Sequence, residues 1–108
     1  MPRAATHSDV FNAISEPKRR EILVLLARVE QPVGQIVAAI GLAQPSVSKH
    51  LRVLESTGLV RVRRSGRQAY YRTNAAALRP VHDWTSFFES LWTNQLNRIK
   101  QKAEEMSQ

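Results

Sequence analysis

The segment VGQIVAAIGLAQPSVSKHLRVLESTG, residues 33–58, decides how this chain folds. Val33, Ile36, Val37 and Ile40 recur at helical spacing, and Gly41 follows where such a helix needs a left-handed residue to close. Only Leu42, Ala43 and Gln44 separate this helix from a second one, which starts near Pro45, runs to about Thr57 and is closed by Gly58. Two short helices joined by a glycine-containing turn of this length form a helix-turn-helix. On the second helix, a 3.6-residue wheel gathers Val47, Leu51 and Leu54 on one face for burial. Lys49 and Arg52 then point outward, Gln44, Ser46 and Ser48 lie toward the exposed N-terminal end, and His50 sits between the core and outward faces. Base edges in a major groove bond to short polar side chains and to Arg, Lys or Gln, and free amides at a helix start suit a phosphate. An ordinary amphipathic helix with a solvated face shows the same pattern, so this helix alone leaves both readings open.

Downstream, residues 59–73 switch to a period of two, which predicts a two-stranded hairpin. Val60 and Val62 alternate with Arg61 and Arg63, and Tyr71 alternates with Tyr70 and Arg72 beyond a Ser65-Gly66 turn. Arg61, Arg63, Arg64, Arg67 and Arg72 crowd this hairpin, while no acidic side chain occurs between Glu55 and Asp83. Such a surface repels itself unless a polyanion lies against it. Arg64 and Arg67, flanking the tip, are the best placed for backbone and minor-groove contact. One of Tyr70 and Tyr71 is expected to pack on the core and the other to reach a phosphate.

Upstream, Val10, Phe11 and Ile14 predict a first helix over 7–14, and Pro17 opens a second over 17–29 with Ile22, Leu23, Leu25 and Leu26 on its buried side. From about Arg79, Val81, Trp84, Phe88 and Leu91, then Trp92, Leu96, Ile99, Ala103 and Met106, step by three and four. One long helix over 79–106 with two adjoining apolar stripes is implied. A small domain cannot cover both stripes, so one should dock on the domain and the other on a second copy. The expected dimer contacts are Val10, Phe11, Trp84, Phe88, Leu91, Trp92, Leu96 and Ile99. The fold class is therefore mainly α, an α+β arrangement of about five helices with a hairpin wing, in a single domain over 1–108.

Composition narrows the function. The chain of 108 residues has 16 Lys and Arg against 9 Asp and Glu, a formal charge of +7 that favours a polyanionic partner. Cysteine is absent, which removes disulfides, thiolate metal sites and cysteine nucleophiles. His82 and Asp83 point about 100 degrees apart on a helix and no second His follows, so no metal is expected. No Gly-rich phosphate loop, oriented nucleophile or convergent carboxylates are found, so neither a cofactor nor enzymatic activity is expected. The N-terminus lacks the apolar run of a secretory signal, and no stretch has the roughly 18 apolar residues of a span; a cytoplasmic, membrane-free protein is expected.

Residues 11–74, from FNAISEPKRREILVLL through VGQIVAAIGLAQPSVSKHLRVLESTGLVRVRRSGRQAYYRTN, resemble the ArsR-type bacterial repressors. The most specific part is PSVSKHLRVLESTGLV, where Ser48, His50, Leu51, Leu54, Gly58 and Leu59 match that family's recognition helix and the start of its wing. The resemblance implies a winged helix domain, a homodimer built from the first and last helices, and repression through binding of double-stranded DNA at an inverted-repeat operator. The expected DNA-binding residues, from the helix face and the hairpin read above, are Gln44, Ser46, Ser48, Lys49, His50, Arg52, Arg63, Arg64, Arg67 and Tyr70. Ala43 departs from a common capping Ser and predicts a slightly weaker helix start. Metal-responsive members carry cysteines in the helix before the recognition helix, or a carboxylate and histidine set on the last; residues 33–40 hold no ligand. The alternative is a winged helix that docks an acidic protein instead of DNA.

Overall fold

In the computed structural model, which describes residues 7–107, the helix-turn-helix occupies the middle of the chain as its spacing predicts. Residues 1–6 and 108 of the predicted domain lie outside the described residues. The elements are α1 His7–Ala13, α2 Pro17–Arg28, β1 Gln31–Pro32, α3 Val33–Ile40, α4 Gln44–Ser56, β2 Val60–Ser65, β3 Gln68–Thr73, a 3₁₀ turn Ala75–Leu78, α5 Arg79–Ser86 and α6 Glu89–Met106.

Local chemistry sets the boundaries. Pro17 fills the first turn of α2, where its missing N–H costs nothing, and Val29 ends the helix in extended backbone. Gly41 closes α3 by donating its amide to the Val37 carbonyl at 3.0 Å. Gly58, at φ +78°, lets α4 finish in a Schellman motif: its amide reaches Glu55 at 3.0 Å, and the Leu59 amide reaches Leu54 at 2.9 Å. The chain leaves that motif directly into β2.

One core joins these pieces. Ile22 and Leu26 of α2, Ile36 of α3, Val47 and Leu54 of α4, and Leu59 at the foot of the wing are all fully buried. Each such side chain gains about 1.5–3 kcal/mol from leaving water, which is what orders helices too short to persist alone. Polar latches fix the wing to this core. The Thr73 hydroxyl donates to the Leu23 carbonyl at 2.7 Å, and the Asn74 amide side chain donates to Gly58 at 3.0 Å.

Three expectations are corrected. The hairpin is part of a three-stranded antiparallel sheet of order β1-β3-β2, because Gln31 and Pro32 pair with Tyr71 and Tyr70 along the edge. A two-residue strand ending in proline has no periodicity to read, and proline is tolerated there because its missing donor falls at a sheet edge.

The single helix expected over 79–106 is two helices, broken at Phe87 and Phe88. The Thr85 and Ser86 hydroxyls both donate back to the His82 carbonyl, at 3.1 and 2.7 Å, competing with the backbone ladder. The Phe87 and Phe88 amides then settle on carbonyls three residues back. Finally, Val10, expected at a dimer contact, is 5% exposed and belongs to the core of its own chain.

Candidate nucleic-acid interface

α4 divides its faces as the wheel requires. Val47, Leu51 and Leu54 are buried, while Gln44, Ser46, Lys49 and Arg52 are exposed. Among the described residues neither Lys49 nor Arg52 forms an ion pair, so both cations remain available to a ligand. Ser48 is half-buried at the margin of this surface. The start of the helix offers fewer free donors than expected, since the Ser46 and Val47 amides both donate to the Ala43 carbonyl at 3.1 Å and Pro45 has none.

His50 turns inward. Its Nδ1 accepts a hydrogen bond from Arg19 Nε of α2 at 3.2 Å, so the ring proton sits on Nε2. Burial, reinforced by the nearby Arg19 charge, holds its pKa below the ordinary histidine value. The ring packs α4 against α2, and sequence spacing gave no sign of a partner 31 residues away.

The wing presents its arginines unequally. Facing pairs run Arg61 with Arg72, Val62 with Tyr71, Arg63 with Tyr70 and Arg64 with Ala69. Gly66, at φ +62°, takes the first central position of a two-residue turn, the geometry of a type II′ hairpin. Arg64 and Arg67 stand exposed beside it, without ion pairs among the described residues.

Arg63 is committed elsewhere. Its guanidinium forks onto the Glu30 carboxylate and lies 4.7 Å from the centre of the Tyr70 ring. This corrects the expectation that the wing lacks an acidic partner and that Arg63 and Tyr70 are both free for phosphate. Of the two tyrosines, Tyr71 packs on the core.

A second surface is apolar. On α5, α6 and the break between them, Trp84, Phe87, Leu91, Trp92, Leu96 and Ile99 are each more than half exposed. Phe11 of α1 meets Trp84 edge-on at 5.8 Å, and Trp84 meets the half-buried Phe88 at 5.4 Å, which ties α5 to α1. α6 follows this aromatic junction and is exposed along its whole length. Among the described residues no group of three or more His, Cys, Asp or Glu is gathered, and no helix is long and apolar enough to cross a membrane.

A helix-turn-helix buttressed by upstream helices and followed by an arginine-bearing hairpin defines a winged helix-turn-helix domain. The chain belongs to the arsR family of bacterial regulatory proteins, whose family model matches residues 16–62, from the start of α2 into β2. It is 34% identical over 89 residues to the transcriptional repressor SdpR of Bacillus subtilis (strain 168), an alignment taking in 82% of this chain and 99% of that protein. An ArsR-like transcriptional regulator from Rhodococcus sp. RHA1 superposes with a TM-score of 0.67 at 30% identity, covering 88% of this chain and 90% of that one. The homodimeric winged helix-turn-helix DNA-binding domain solved by solution NMR from Mycobacterium bovis gives a TM-score of 0.64 at 32% identity, covering 76% of this chain and 77% of that one.

Proposed function

We propose that this chain is a cytoplasmic transcriptional repressor that binds an inverted-repeat operator in double-stranded DNA as a homodimer, acting as one domain over its whole span. The observation that carries the reading is the exposure of Lys49 and Arg52 on a helix whose opposite face is locked in the core, with Arg64 and Arg67 free on the neighbouring hairpin. Rigid seating of α4 fixes where its polar side chains meet base edges, and the wing adds contacts to the backbone. The exposed aromatic and aliphatic side chains of α5 and α6 supply an apolar face for a second copy. Two copies related by a two-fold axis then read half-sites about one helical turn, or a multiple of it, apart.

Retardation of duplex fragments from around its own gene, measured at several salt concentrations, tests this reading. Neutralising six to ten phosphates predicts an affinity loss of roughly 10³ to 10⁵ between 50 and 200 mM salt. Absence of any retardation at low salt would overturn the assignment and leave the acidic-protein alternative.

A further inference from the structure

The solvent face of the sheet carries a charge imbalance that neither the recognition helix nor the wing tip accounts for. Arg61 and Arg72 face each other directly across β2 and β3, on the same face as Arg63 and Tyr70. Directly opposed like charges destabilise a strand pair. The acid that answers this face is Glu30, and its carboxylate is committed to Arg63, the bond to which is the chief reason that its pKa is lowered. Arg72 is near enough for its charge to add to that lowering, but no ion pair to Arg61 or Arg72 forms among the described residues. Three arginines therefore share one carboxylate, an excess of two positive charges.

Between these arginines and the end of α2 lies a recess of about 310 Å³, lined by Ala27, Arg61, Arg72, Thr73, Asn74 and Ala75. Of its neutral polar side chains, Thr73 has spent its hydroxyl proton on Leu23, and Asn74 has given one of its two amide hydrogens to Gly58 and keeps the other. The lining thus offers an anion two guanidinium groups, from opposite strands, and one amide N–H of Asn74, above a small-residue wall. Guanidinium forks match the tetrahedral oxygens of a phosphate and bind it with paired hydrogen bonds. Among the described residues no carboxylate pairs with Arg61 or Arg72, so both guanidinium groups keep their bonding edges for an external anion.

We infer that Arg61 and Arg72 form a phosphate-binding site on the sheet's outer face, separate from the recognition helix and the wing tip. The phosphate belongs either to the backbone of a bound duplex or to a free phosphorylated molecule. Because the positive charge at the site comes from two exposed guanidinium groups alone, binding of an isolated phosphate is weak and depends on both arginines.

The test begins without DNA, which separates it from the operator reading. Inorganic pyrophosphate is titrated into the full chain at constant ionic strength, and the arginine Nε–H signals are followed by NMR. Saturable shifts confined to Arg61 and Arg72 are expected, with Arg64 and Arg67 at the tip moving no more than in chloride, and R72Q should abolish the Arg61 response. Relief of repulsion should also give R72Q a higher thermal midpoint than the parent in phosphate-free buffer. Shifts no larger than chloride produces, or equal shifts at all arginines, would overturn the site.

Duplex binding by the R61Q/R72Q double variant then identifies the source. A salt slope reduced by about two, one per lost phosphate contact, assigns the site to the duplex backbone. An unchanged slope assigns it to a free phosphorylated molecule.

Discussion

The Glu30 carboxylate, in the loop that follows α2, accepts hydrogen bonds from Arg63 Nη2 at 2.6 Å and from Arg63 Nε at 3.1 Å, joining residues 33 positions apart in sequence. The same guanidinium lies over the Tyr70 ring at 4.7 Å. Its edge is spent on the carboxylate and one face on the ring, so it is held along the wing instead of reaching outward. The pair restrains the wing's charge and orientation; with Arg63 exposed and Glu30 only partly covered, it adds little to stability.

Glu30→Gln should therefore release Arg63 toward DNA. Duplex affinity is expected to rise, with a salt slope steeper by about one for the freed cation, and the thermal midpoint to fall slightly, because the three arginines of this face then share no carboxylate. Fluorescence anisotropy across a salt series reads the slope. A variant that binds more weakly, with an unchanged slope, would mean that Glu30 instead presents Arg63 to the phosphate.

Substitutions on α4 and at the wing tip should separate by type of loss. Arg52→Ala or Lys49→Ala is expected to cost about 1–3 kcal/mol on the operator and to narrow the gap between operator and unrelated sequence. Arg64→Ala with Arg67→Ala should weaken all duplexes alike and lower the salt slope by about two. Competition assays with operator and scrambled duplex distinguish these patterns. If all four substitutions together leave operator binding untouched, the interface lies elsewhere.

These outcomes bear on residues whose faces were readable from spacing, and the reason is local. The burial of Val47, Leu51 and Leu54 follows from helical period, and the closure of α4 at Gly58 follows from the need for a left-handed residue. What spacing left hidden depends on tertiary approach. Glu30 and Arg63 meet only because α2, β1 and the wing converge, and His50 finds Arg19 only because α4 crosses α2. The break at Phe87 was masked because apolar residues keep helical spacing on both sides of it. The adjacent Thr85 and Ser86, whose hydroxyls compete for backbone carbonyls, were the available signal.

The His50 contact makes stability depend on pH. Its pKa is lowered in the folded chain, first by burial and then by Arg19 and Lys49, with Glu16 acting in the opposite sense. A depressed value means that the folded state binds protons less readily than the unfolded one. The contribution is complete above the ordinary histidine pKa of about 6.5 and is lost as pH falls through the lowered value. Thermal midpoints measured from neutral to mildly acidic pH should therefore decline more steeply for the parent than for His50→Gln. Parallel declines would show that the ring does not titrate against Arg19.

The apolar surface of α6 supports the last prediction. Leu96 and Ile99 are 65% and 66% exposed and Trp92 is 52% exposed, so a charged residue at Leu96 or Ile99 disturbs little packing within the chain, and at Trp92 it gives up only the covered half of the ring. Leu96→Glu and Trp92→Glu should keep the parent's helical circular dichroism while shifting sedimentation from dimer to monomer. Placing two carboxylates in a desolvated seam opposes association strongly, because each loses its hydration without gaining a partner. Operator affinity should fall to that of a single half-site, whereas weak salt-sensitive binding to any duplex persists, since α4 and the wing are untouched. A dimer that survives both substitutions would move the two-fold contact off α6 and toward the Phe11 and Trp84 junction, where α1 and α5 meet.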